Sequence, residues 1–167
     1  MFISIEELKS VLYEYQTDMI TEYDEGILAE AIESAVTEVC SYLLASNARR
    51  ETATLSKQQY ANWRLYDTDA IFAAEGTERN AFLVRLTKRV AAWNIVELSA
   101  PDVLYDRVKE RYEASVKLLE RIAGMGEYVN ERLVIGGVPY LDEQDSTTDE
   151  PAQQPFRMVS RPKFHHE

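Results

Sequence analysis

Cysteine is almost missing from this chain: Cys40 stands alone among 167 residues. One thiol cannot close an internal disulfide, so a disulfide framework is excluded and a reducing compartment is the natural setting. Histidine is nearly as scarce, with only His165 and His166. Adjacent histidines cannot share one helix face, and no third His or second Cys joins them, so a metal site is not expected there. A Cys–His nucleophile is not expected either, and Cys40 reads as a small buried residue beside Val39. No apolar run approaches the roughly 20 residues that span a bilayer. MFISIEELKS has neither a basic leader nor an apolar stretch, so no secretory signal is expected there, and synthesis in the cytosol is. Basic residues are short as well, 18 against 29 acidic ones, for a formal net charge of −11. That balance argues against a protein that wraps nucleic acid with a basic face. It does not exclude a protein that DNA slides past, since like charge prevents sticking.

What the chain does have is a 46% hydrophobic content, enough for one core, with a tail appended. Ser4 and Glu7 have capping-box spacing at the head of a short helix, about Ile5 to Leu12. Residues 13–23 are less regular, with Met19 and Ile20 as their anchors to the core. A second helix is expected from Asp24 or Glu25. Its stripe is Ile27, Leu28, Ala31, Ile32, Ala35, Val36, Val39, Tyr42 and Leu43, with Glu30, Glu33, Thr37 and Glu38 on the other side. Residues 1–44 carry ten acids against the single base Lys9, so most of the net charge sits in this half.

Residues 45–66 break the pattern and read as a loop or extended arm. Within them Trp63, Leu65 and Tyr66 are too apolar for a free loop and call for a surface to pack on, such as a neighbouring subunit. Ile71 and Phe72 mark a short helical turn ending at Gly76. Asp67 and Asp69 have the opening spacing of a calcium loop, but Phe72 stands where that loop needs glycine, so a helix cap is the better reading. A third helix follows from about Asn80 to Leu98, with Phe82, Leu83, Leu86, Val90, Trp93, Val96 and Leu98 inward. Pro101 ends one helix and suits the first turn of the next. The fourth helix runs from Val103 or Tyr105 to Ala123, with Gly124 as its C-terminal cap.

Beyond Gly124 the β-branched run and Gly136-Gly137 of residues 127–141 fit a short β-hairpin. The pair of glycines is too isolated for a phosphate loop. Residues 142–155 form an acidic, Pro-bearing linker, and residues 156–167 (FRMVSRPKFHHE) turn basic and aromatic, the layout of a docking tail. The expectation is therefore an all-α chain. It is a small bundle of about four main helices over residues 1–126, with an arm over 45–78, the hairpin, and an extended C-terminal tail. No triad, metal box or phosphate loop is present, so no catalytic residue and no cofactor is assigned.

The order FISIEELK, DEGILAEAIESAVTEVCSYL, RNAFLVRLTKRVAAWNIVEL, DRVKERYEASVKLLERIAGMGE resembles the Mu-like phage neck protein family. Those small proteins look like head–tail connectors, or adaptors. YDTDAIFAAEGTERN and the closing FRMVSRPKFHH resemble the version of that family found in prophages of Bacteroides-type bacteria. The resemblance spans residues 2–126 and the tail; the insertion at 45–66 is longer than the common connector pattern.

The resemblance implies a ring of about a dozen copies below the portal that extends the DNA channel and offers a surface to the tail. Its partners would be further copies, the portal protein and a tail-completion or tail-terminator protein. DNA would pass without sequence-specific binding, and no membrane would be involved. The place would be the virion neck, after synthesis in the bacterial host cytoplasm. Residues expected at subunit or partner contacts are Trp63, Tyr66, Phe72, Arg85, Arg89, Arg107 and Arg111, and in the tail Phe156, Arg157, Arg161, Phe164, His165 and His166. Two other readings are a tail-completion or terminator protein of the same neck and a cytosolic adaptor outside the virion.

Overall fold

A computed structural model describes residues 2–8, 11–12, 25–52, 63–98 and 105–141. The expected positions Met19, Ile20, Phe156, Arg157, Arg161, Phe164, His165 and His166, with the acidic linker, lie outside the described residues. Among the described residues there are five α-helices: α1 Ile5–Leu8, α2 Glu25–Glu51, α3 Thr68–Ala73, α4 Ala81–Leu98 and α5 Tyr105–Ala123. Two 3-10 turns, Gly76–Glu78 and Gly126–Val129, precede α4 and follow α5. The all-α expectation holds.

Helices α2, α4 and α5 pack mutually around one core of Leu43, Leu83, Leu86, Val90, Ile95, Leu119 and Ile122. The Asn94 side chain donates to the Ala31 carbonyl, 3.3 Å, across the α2–α4 seam. The Tyr112 hydroxyl donates to the Glu38 carboxylate, 3.1 Å, across the α2–α5 seam. Trp93 stacks on Tyr112 at 5.2 Å and tilts against Tyr105 at 5.3 Å, so the end of α4 meets the start of α5. α5 thus returns antiparallel to α4. The Glu38–Tyr112 bond early, and Trp63 bridging Arg50 and Gly124 late, place α5 parallel to α2.

α2 runs to Glu51, so the break expected at residue 45 is corrected. The inward stripe continues past Leu43 into Ser46 and Asn47, which are buried although polar. Arg49 and Arg50 occupy the last helical turn, where cations face the negative end of the helix dipole. Asp67 caps α3 through its Oδ1, which accepts from the Ala70 N–H at 3.0 Å.

The expected hairpin is also corrected. Among the described residues there is no strand; Tyr66 and Tyr140 make an isolated antiparallel bridge. The Asp67 N–H donates to the Pro139 carbonyl (3.2 Å), and the Leu141 N–H donates to the Leu65 carbonyl (2.9 Å). The segment therefore pairs with the arm before α3 and not with itself. On the other side of Leu65–Asp67, the Asn47 carboxamide accepts from the Tyr66 N–H and donates to the Tyr66 carbonyl, both at 2.8 Å.

The N-terminus is tied in by charge. The capping box forms as expected: the Ser4 N–H donates to Glu7 Oε2 at 3.0 Å and the Glu7 N–H to Ser4 Oγ at 3.2 Å. Helix α1 is described over Ile5–Leu8, and Val11 and Leu12, expected within it, are not helical. Glu7 also accepts a bidentate pair from Arg79, 2.8 Å on each arm, and Arg79 donates further to the Phe2 carbonyl at 2.7 Å. Arg79's hydrogen bonds hold the Glu7 carboxyl down at about 2, from an ordinary value of 4.5, against the opposing effect of burial. A carboxylate depressed in the fold stabilises it above pH 4.5, and that contribution disappears as pH falls toward 2. The pair is partly exposed and solvent screens it, so its worth is about 1 kcal/mol. Glu7→Gln is expected to lose about that much at pH 7 and to narrow its gap to the native chain as pH drops below 4. Urea unfolding at several pH values measures it; a gap independent of pH would refute the assignment.

Candidate functional site: a cationic groove on α4

The site is built by the periodicity of α4. Leu83, Leu86, Thr87 and Val90 turn inward, so Ala81, Val84, Arg85 and Lys88, one step apart on the helix surface, form an outward row. Asn80 sets where the row begins. Its Oδ1 accepts from the Phe82 and Leu83 N–H groups (3.1 and 3.2 Å), and its Nδ2 donates to the Gly136 carbonyl at 2.8 Å. One side chain thus caps α4 and fastens residues 136–137 to it.

Over this row lies an open groove of about 650 Å³, lined by Val11, Gly76, Thr77, Arg79, Ala81, Val84, Arg85, Lys88, Arg89 and, from α5, Arg111. No carboxylate lines it among the described residues. Arg79 faces Glu7, but no ion pair with Arg85, Arg89 or Arg111 occurs among the described residues. Arg89 has its pKa lowered, first by burial and then by the fields of Arg85 and Arg111, which places the three guanidinium groups together. Arginine stays charged under such a field, so the repulsion persists until an anion enters. A floor of Val11, Ala81 and Val84 beneath these charges offers apolar contact to whatever brings that anion.

Of the four expected arginines among the described residues, Arg85, Arg89 and Arg111 meet in this groove. Arg107 does not line it; it lies exposed one turn before Arg111 on α5. Phe72 is half-buried with its ring edge-on to Phe2 at 4.9 Å. Tyr66 was expected at a subunit contact and is corrected to a core residue, fully buried within its own chain. Trp63 is half-buried against its own fold, its ring over Gly124 and beneath the Arg132 guanidinium at 4.5 Å.

Local sequence does not place Arg79 or Val11 in the groove. Arg79 reaches a partner 72 residues away, and no local signal marks such a pairing. Val11 enters from the N-terminal segment through the same tertiary fold. Elsewhere, Arg132 also lies over Tyr66 at 5.1 Å, Tyr66 stacks on Tyr140 at 5.3 Å, and Arg64 covers Tyr140 at 3.8 Å. This stack fixes the C-terminal segment to the bundle end. Cys40 is half-buried, and burial followed by the field of Asp69 raises its pKa, which disfavours the reactive thiolate. Among the described residues no group of three His, Cys, Asp or Glu is placed to hold a metal, and no helix is long and apolar enough to cross a membrane.

Opposite in sign to the groove is the outer face of α2. Glu30, Glu33, Thr37, Ser41 and Leu44 form an exposed row at spacings of three and four. Glu30 shares a cleft of about 260 Å³ with Asn94 and Glu97 of α4. Compared with family models, curated proteins and solved structures, the chain matches none.

Proposed function

We propose that this chain is a phage neck protein, a head–tail connector whose copies form a ring between the portal and the tail and extend the DNA channel. One observation carries the reading beyond the resemblance: a groove lined by cations and a row of carboxylates lie on separate faces of one helical bundle. The cations of Arg85, Lys88, Arg89 and Arg111 are gathered in one groove. Exposed carboxylates line α2. A subunit with complementary faces pointing in different directions associates head to tail, and a head-to-tail contact closes into a ring when the rotation allows. The chain as a whole is acidic, which lets DNA pass a channel wall without being held.

The test is made on particles and on the purified protein. Mass spectrometry of purified virions from an induced lysogen is expected to find the chain at a ring's stoichiometry relative to portal. Electron microscopy of the protein mixed with portal is expected to show rings seated on it. Absence from particles would defeat every structural reading and favour a cytosolic adaptor. Presence in particles with binding to the tail tube but not to the portal would move the protein to a tail-completion role.

A further inference from the structure

The groove has an apolar floor, unpaired guanidinium groups and no carboxylate of its own among the described residues. Its occupant must therefore bring at least two carboxylates on a narrow apolar or small-residue ridge. We infer that the occupant is a second copy of this chain, presented through Glu30 and Glu33 of α2 and Glu97 of α4. This deepens the ring reading above and rests on it.

The match is one of charge, spacing and shape. In the groove Arg85 and Arg89 come from α4 and Arg111 from α5. On the opposing face Glu30 and Glu33 come from α2 and Glu97 from α4. Each set is spread over two helices, so each is a patch and not a line. Arg85 and Arg89 are about 6 Å apart along their axis, and Glu30 and Glu33 about 4.5 Å, so helices lying side by side can pair both carboxylates. Gly26, Ser34 and Thr37 flank the glutamates and leave room for a close approach.

The two faces cannot satisfy each other within one chain. Asn94, bonded to Ala31, is nine residues beyond Arg85, which on a helix is the opposite side. The contact is therefore between copies, heterologous, and able to propagate. DNA phosphate is the other polyanion that such a groove could attract. It is disfavoured by the net charge of −11 and by the apolar floor, which a phosphate backbone does not use.

Two variants test this by sedimentation over a concentration series, with thermal unfolding as the folding control. The variants are Arg85→Glu/Arg111→Glu and Glu30→Lys/Glu97→Lys, all four at exposed positions. Each alone is expected to weaken self-association by at least about tenfold without a change in Tm. Mixing the two, or joining all four changes in one chain, is expected to restore it, because the reversed faces complement each other. Added salt should weaken the native contact. Variants that associate like the native chain overturn the assigned faces. So does a loss that neither mixing nor the four-fold change restores, which would give the groove to another acidic partner. A native chain that stays monomeric up to its solubility limit overturns the self-contact as well. The neck reading is judged separately, by the presence of the chain in particles.

Discussion

Replacing Asn47 by alanine is expected to lower the unfolding free energy by about 3 kcal/mol, far more than the loss of one surface polar group. Asn47 sits on the inner face of α2, and its carboxamide closes both hydrogen-bonding positions of the Tyr66 peptide at 2.8 Å. It thereby acts as the neighbouring strand that Leu65–Asp67 lacks on that side, while Pro139–Leu141 pairs the other side. Tyr66 is fully buried, so water has no ready access to the groups that alanine would leave unpaired. Each such buried donor or acceptor costs about 1–3 kcal/mol. Asn47→Asp keeps the acceptor for the Tyr66 N–H but sets a carboxylate against the Tyr66 carbonyl, so it is expected to be at least as damaging. Urea unfolding gives the magnitude. Hydrogen exchange gives the place: the Tyr66 and Leu141 amides should lose protection before those of α4. A loss below about 1 kcal/mol would mean that the arm re-pairs elsewhere.

The same residue explains what could and could not be read from the chain. Helices α4 and α5 were legible almost to the residue, because their apolar positions recur at spacings of three and four, Asn80 precedes the first and Gly124 follows the second. The end of α2 was not, because the inward stripe passes from Leu43 to Ser46 and Asn47. Two polar residues look like the end of a buried face unless their partner is known, and that partner, Tyr66, lies 19 residues later. Tyr66 was then misjudged for the complementary reason. An aromatic residue in an arm invites a neighbouring subunit, but its own chain supplies Asn47 on one side and Tyr140 on the other. Gly136-Gly137 suggested a local hairpin, whereas the pairing is to residues some seventy positions earlier. Long-range pairing leaves no periodic trace in sequence.

The groove was half legible. Arg85, Arg89 and Arg111 stood out as the polar side of two amphipathic helices, and helical geometry alone puts the first two on one face. That Arg111 joins them follows from the antiparallel return of α5, which the short Pro-marked connection implies. That Arg79 is neutralised by Glu7 could not be read, and it matters: it makes Arg85, Arg89 and Arg111 the charges left for a partner.

Gly124→Ala is expected to cost about 3 kcal/mol, through two separable effects. Gly124 ends α5 at φ +62, a left-handed conformation that costs an alanine about 1 kcal/mol. A Cβ at this position would also overlap the six-membered ring of Trp63. That ring is not free to withdraw: the Trp63 carbonyl accepts from Arg50 Nε at 2.9 Å, and the Arg132 guanidinium lies over the ring at 4.5 Å. Forcing a methyl group into such a packed site costs about 2 kcal/mol more. Gly126 supplies the control. It has φ +57 but open space where its Cβ would be, so Gly126→Ala should cost only the backbone part, about 1 kcal/mol. The difference between the two variants measures the contact with Trp63. In a Trp63→Ala background that difference should collapse, because the ring is gone; equal costs in both backgrounds would place the strain elsewhere. Neither Gly124 nor Trp63 lines the groove that holds Arg85 and Arg111. At a temperature where Gly124→Ala remains folded, its self-association should therefore equal that of the native chain, separating what holds the bundle together from what joins one copy to the next.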